Sequence, residues 1–208
     1  MVGHAMRAFA ASLGLVLALG LSGGLSGVLA QTPQASSVPA PDRHPETDLA
    51  FPATLGPARK VNSNDYGKAH GSPKLGYYWG YQTPQLTTSF YVYNFGITSI
   101  PTGAGSAVVL QQFQQAQSDI DVGAKAGRYE QLQVSQGPAN CTVGPLIFRC
   151  VTYSALRPAD RRPVFTRLFV TGYRNYFLKI RQDWPQDAAA AGRDVDAVIL
   201  SLVASAKP

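Results

Sequence analysis

The sequence predicts an α+β domain with an antiparallel sheet, packed by one long central helix and one C-terminal helix. Three observations carry that expectation. Runs rich in Tyr, Phe, Trp, Val and Thr recur along the chain, helical periodicity appears in two separate stretches, and strands do not alternate with helices as they would in a dinucleotide-binding fold.

Residues 59–66, 75–82 and 87–95 read as strands by composition,. Thr83-Pro84-Gln85-Leu86 supplies a turn between the last two and makes them an antiparallel pair. Over residues 106–126 the apolar positions Val109, Phe113, Ala116, Ile120 and Ala124 step by three or four and form one helical face,. Ser106 is its N-cap and Gly127 its stop. Strand composition returns at 129–134, 146–155, 164–171 and 176–183. After Trp184-Pro185, residues 188–206 place Val195, Ile199, Leu202 and Ala206 on one stripe, backed by Val198 and Val203.

The first thirty residues have a separate logic. Arg7 precedes an apolar run broken by glycine and serine that ends in Val28-Leu29-Ala30, the layout of a secretory signal peptide cleaved after Ala30,. An uncleaved anchor is the alternative, since the run has the length to span a bilayer. Five glycines between Gly14 and Gly27 weaken a spanning helix, and after cleavage no stable membrane span is expected,. Residues 31–50 are mostly Pro, Ser, Ala, Gln and charged groups, which reads as a flexible tether. The globular domain then runs over residues 51–208, and export places it in the periplasm or outside the cell.

Cys141 and Cys150 are the two cysteines of the chain. An even count in an exported chain reads as one disulfide, here closing a hairpin around Val143-Gly144-Pro145-Leu146. A two-thiol redox or metal site would need closer spacing or accompanying histidines. Asn140-Cys141-Thr142 also matches a glycosylation acceptor, which matters only in a host with that machinery.

The formal charge is +6, and loss of Arg7 with the leader lowers it to +5. The excess is local. Arg157, Arg161, Arg162, Arg167, Arg174, Lys179 and Arg181 stand against Asp160 alone over residues 157–181. In a hairpin with a three-residue loop Tyr173-Arg174-Asn175, Leu168 would face Ile180 and Val170 would face Leu178. The other side would then bring together Arg167, Phe169, Lys179 and Arg181. Opposed like charges there ask for an anion or a carboxylate from elsewhere in the chain. The expected partner is an anionic envelope component or a protein, met by Arg167, Lys179 and Arg181 together with the Arg157, Arg161 and Arg162 loop. A solvated outer face with long stems over aromatic rings is the plainer alternative. Nucleic acid is not expected as a partner, because export removes the usual targets.

Catalytic chemistry finds little support, and the expected site has no catalytic residue, no metal and no cofactor. His4 falls in the leader and His44 in the tether, leaving His70 in a loop composition as the domain's histidine,. Asp119 and Asp121, like Asp194 and Asp196, flank apolar helix positions and point away from the buried stripes, so no facing carboxylate pair stands out. Gly103-Ala104-Gly105-Ser106 lacks the lysine of a phosphate loop and reads as a loop with an N-cap.

The element order after a leader and tether resembles the Mog1/PsbP-like fold. Phe51-Pro52, the aromatic strand Ser89-Phe90-Tyr91-Val92-Tyr93-Asn94-Phe95, the following helix and the closing hairpin plus helix carry the resemblance over residues 51–206. It implies a binding or helper role without naming a ligand or a site residue. The expectation is an exported, non-enzymatic binding or accessory protein of the cell envelope. A small secreted hydrolase using His70 or a carboxylate, and a structural envelope protein, are the rival classes.

Overall fold

The computed structural model describes residues 38–204 and 206. The leader, the cleavage point after Ala30 and residues 31–37 of the expected tether lie outside them. The first half contains strands β1 (Thr54–Leu55), β2 (Ala58–Asp65), β3 (Tyr77–Gln82) and β4 (Thr87–Tyr93). A single-turn helix α1 (Tyr66–His70) separates β2 from β3, and the long helix α2 (Ala107–Lys125) follows β4. Then come β5 (Glu130–Val143), β6 (Leu146–Leu156), β7 (Pro163–Tyr173), β8 (Tyr176–Pro185) and the last helix α3 (Ala189–Val203). The class is α+β, and the strands make one eight-stranded antiparallel sheet in the order β1-β2-β3-β4-β8-β7-β6-β5.

Both faces of this sheet carry apolar packing. On one, Val109, Phe113, Ala116 and Ile120 of α2 share a buried cluster with Tyr93, Val151, Leu168, Val170 and Phe177. On the other, Val195, Val198, Ile199 and Leu202 of α3 join Phe51, Trp79, Phe90, Phe148, Phe169, Leu178 and Ile180. We call these the α2 face and the α3 face. Ser106 caps α2, its Oγ accepting the Val109 N–H at 3.4 Å, and Gly127 turns left-handed just beyond its end,. Among the described residues no helix is long and apolar enough to cross a membrane.

Two-sided burial overturns the expected hairpin register. Alternation in β7 and β8 suggests one apolar side and one solvent side, but Leu168 and Phe169 are both fully buried, on opposite faces. The turn has two residues, Arg174 and Asn175, both left-handed with φ of 48° and 63°, and such turns match strand twist. Tyr173 therefore pairs with Tyr176, Phe169 with Ile180 and Arg167 with Gln182. An even loop reverses the parity that a three-residue loop would give, so Arg167 lies on the α3 face while Lys179 and Arg181 lie on the α2 face.

Residues 38–50, read from composition as part of a tether, lie against the sheet. His44, Thr47 and Leu49 are buried there. The Trp79 indole N–H donates to the Pro41 carbonyl at 2.9 Å, the Asp65 N–H to that of Val38 at 2.7 Å, and Arg43 bridges Ala50. Phe51 then stacks on Trp79 at 3.6 Å. Composition misleads here because the segment is held by backbone carbonyls and an imidazole more than by apolar side chains.

Cys141 and Cys150 are joined by a disulfide across the β5–β6 hairpin, with Cα atoms 6.1 Å apart, inside the range for such bonds. β5 extends far beyond the expected 129–134. Its middle, from Gln133 to Asn140, is exposed, so hydrophobic periodicity carried no signal of the strand.

Candidate functional site

All but one of the basic residues between 157 and 181 meet an acid, most of them supplied from outside that stretch. Arg157 donates through Nε to Asp160 at 2.8 Å, and Arg161 pairs with Glu130 of β5. Arg162 meets Asp187 at 2.9 Å, Arg167 meets Asp196 of α3 at 3.7 Å, and Arg174 meets Asp48 of the N-terminal segment at 2.7 Å. The hydrogen bond from Arg157 holds the Asp160 carboxyl down to about 2. Arg181 reaches Asp183 at 3.9 Å and does so more closely through Tyr129, whose hydroxyl accepts from Arg181 at 2.8 Å and donates to Asp183 at 2.9 Å.

Lys179 is the exception: among the described residues no carboxylate lies within ion-pair distance of it. Its ammonium sits over the rings of Tyr91 at 4.5 Å and Tyr93 at 5.6 Å, an electrostatic attraction to the ring faces. Burial pulls its pKa below the usual lysine value. The charge of Asp119 on α2 works against that shift and Arg181 adds to it. A partly desolvated cation with rings but no carboxylate at ion-pair distance is an incomplete arrangement that an anion would complete.

Strand register sets what surrounds it. Lys179 lies opposite Tyr91, which lies opposite Tyr78, which lies opposite Asn64. One step along, Arg181, Ser89, Gly80 and Asn62 form the next row. The rings of Tyr91 and Tyr78 are 5.1 Å apart, and Tyr66 of α1 continues the series at 6.4 Å, ending at His70. A Cβ at Gly80 would collide with Asn62 and Tyr78, so glycine leaves room for those two side chains to lie over the sheet. All of these residues are exposed or half-buried except Gly80. Burial among neighbouring tyrosines pushes the Tyr91 hydroxyl up to about 12, so it stays protonated at neutral pH.

The arginine loop borders a separate cleft of about 480 Å³, which Arg157 and Arg162 line together with Arg128, Tyr129, Asp183 and Trp184. Tyr129 and Asp183 connect that cleft to Arg181. Arg161 turns away to β5 and does not line it. Arg167 lies across the sheet, its guanidinium 4.6 Å from the Phe169 ring, with Nε buried and lacking a hydrogen-bond acceptor.

The structure thus brings Lys179 and Arg181 to one face of the sheet, sets Arg157 and Arg162 in the cleft that Tyr129 and Asp183 share with Arg181, and places Arg167 on the opposite face from Lys179 and Arg181. Sequence reading missed Tyr66, Tyr78, Tyr91, Tyr129 and Arg128. Tyr78 and Tyr91 did leave a trace, since they alternate with the buried Trp79 and Phe90. His70 is exposed at the end of α1 beside Tyr66. The Gly103 N–H, considered for an anion, is taken by the Gly172 carbonyl at 2.9 Å. Among the described residues no group of three or more His, Cys, Asp or Glu is placed to hold a metal ion. Set beside known proteins, the chain matches no family model, and no curated protein or solved structure is significantly similar to it.

Proposed function

We propose that the chain is an exported, non-enzymatic binding or accessory protein of the cell envelope that takes an anionic group on its Lys179 surface. Cleavage after Ala30 would deliver it to the periplasm or the exterior, and the Cys141–Cys150 disulfide suits such an oxidising compartment. The α+β domain, with its antiparallel sheet packed by the long central helix and the C-terminal helix, acts as a rigid support. The Mog1/PsbP-like element order fits a helper role. One observation carries the reading: six of the seven basic residues between Arg157 and Arg181 have an acid of this chain beside them, and Lys179 has tyrosine rings instead.

The test is capture of envelope components by the immobilised full chain at low and raised salt. Lys179→Ala, alone and with Arg181→Ala, should weaken capture at low salt by roughly tenfold or more, as expected when a charge-assisted contact is lost. Arg161→Ala, which breaks an exposed pair with Glu130, should leave it unchanged. Unaltered capture by a folded Lys179→Ala, Arg181→Ala double variant would overturn the proposal.

A further inference from the structure

Beneath the β7–β8 turn, on the α3 face and away from Lys179, lies a cavity of about 620 Å³. We propose that it is a binding pocket for a neutral sugar of one or two rings. This inference is independent of the anion site.

The floor is aromatic and rigid. Tyr77 and Tyr176 line it with His44, whose ring meets theirs edge to face at 5.2 and 4.6 Å. His44 Nδ1 accepts the N–H groups of Glu46 at 3.3 Å and Thr47 at 3.1 Å. The imidazole proton is therefore on Nε2, which is buried without a hydrogen-bond acceptor. A buried donor left in that state is costly, so the wall behind the two tyrosines carries an unmet hydrogen-bond demand.

The rim presents donors whose orientation the backbone dictates. The Asn94 amide oxygen accepts the Gly96 N–H at 2.9 Å, and that of Asn175 accepts the Ile100 N–H at 3.4 Å. Each oxygen being engaged, each amide NH2 is left to donate, and neither has a partner among the described residues. Lys74 and Glu46 also line the cavity without pairing to each other. Charges of both signs disfavour a strongly anionic or cationic occupant. Tyrosine rings below, amide donors around them and the Glu46 carboxylate at the Tyr176 side chain fit a pyranose, which offers an apolar C–H face and hydroxyls that both donate and accept. The volume lies within the range of small-molecule sites.

Between Asn94 and Gly96, Phe95 holds a left-handed backbone, φ 51°, and is 52% exposed, its ring packing on Tyr93 at 4.7 Å, so that it shapes the rim without lining the cavity. A bulky residue rarely adopts that conformation, and such strain collects at ligand-binding positions. The Phe95 N–H bond to the Lys74 carbonyl at 3.0 Å anchors it.

The test is titration of the full chain with glucose, N-acetylglucosamine and their β-1,4-linked disaccharides, with glucuronic acid as the anionic comparison, followed by intrinsic fluorescence. At least one neutral probe should bind with Kd below roughly 1 mM, a modest affinity for a ligand of this size, and added salt should not weaken it. Asn94→Asp and Asn175→Asp keep a side-chain oxygen to accept the same backbone N–H and remove the NH2 donor, so the turns persist while binding falls by roughly tenfold. Lys179→Ala should bind sugar as the unaltered chain does. The proposal is overturned if no neutral probe binds up to roughly 10 mM, if both Asn→Asp variants bind normally, or if glucuronic acid binds best and is released by salt.

Discussion

The β7–β8 hairpin presents basic residues on both of its faces, and the two faces treat them differently. On the α3 face, Phe169, Leu178 and Ile180 are sealed beneath α3 and the N-terminal segment, and Arg167 at the margin has Asp196 beside it. On the α2 face, apolar packing involves Leu168, Val170 and Phe177, while Lys179 and Arg181 emerge beyond it among tyrosines. The chain supplies a counter-charge to Arg167 on one face and to Arg181, through Asp183, on the other. Lys179 lacks one, and this is the difference that makes it a binding candidate. A run of basic residues in sequence is therefore a poor guide to charge in space, because the neutralising acids come from β5, α3 and residue 48.

Truncation should cost most on the sealed face. Phe169→Ala empties a fully buried position and should cost about 4 kcal/mol, read as a lowered urea midpoint. Tyr91→Ala, half-buried across the sheet, should cost about 1 kcal/mol. Equal losses would mean that the α2 face is as closed as the other.

Next in size is a pH effect confined to the sealed face. Burial lowers the His44 pKa from 6.5 to about 4, with Glu46 opposing the shift. Above pH 6.5 the imidazole is neutral whether folded or unfolded, and stability is complete. As pH falls from 6.5 towards 4 the unfolded chain takes up a proton that the folded chain refuses, so about 3 kcal/mol is lost across that window and no more below it. Urea midpoints against pH should show this slope. His44→Asn, whose amide oxygen can replace Nδ1 as acceptor, should flatten the difference, and an unchanged slope would show that His44 is not the titrating group.

These expectations mark how far the sequence reading reached. The class and most strands were legible because Tyr, Phe and Val concentrate in them, and both helices because their stripes are regular. Val109, Phe113, Ala116 and Ile120 are each buried. Hairpin parity was not legible, since Arg174 and Asn175 both adopt φ > 0 and the arginine gave no hint of it. Nor was the seating of residues 38–50, whose bonds run through main-chain oxygens to Trp79 and Asp65. Of the candidate site, Lys179 and Arg181 could be named from charge alone, but their tyrosine neighbours depend on β3 and β4 pairing beside β8, a long-range arrangement that local pattern does not encode.

The disulfide tests the outer part of the sealed face. Cys150 is buried in the same cluster as Phe169, which it faces across β6 and β7. Replacing both cysteines by alanine should cost about 2.5 kcal/mol by loop entropy for so short a loop, less than the loss at Phe169. Mass analysis with and without reduction checks that the bond is present. A double variant as stable as the parent would place the β5 margin outside the cooperative core.

The smallest stability change should accompany the largest change in binding, at Lys179. Methionine keeps much of the stem that crosses the Tyr91 ring and removes a cation that burial disfavours, so Lys179→Met should alter folding stability by no more than about 0.5 kcal/mol, with a slight gain favoured. Anion capture should nevertheless be lost. Arg167→Met gives the reverse pattern: its pair with the exposed Asp196 contributes at most about 1 kcal/mol, and capture should persist. If Lys179→Met instead destabilises by more than about 1.5 kcal/mol, the ammonium is structural, compensated within the fold by its ring contacts and the more distant Asp119. The two faces of the hairpin would then differ in geometry but not in charge, and the ground for a partner at Lys179 would be gone.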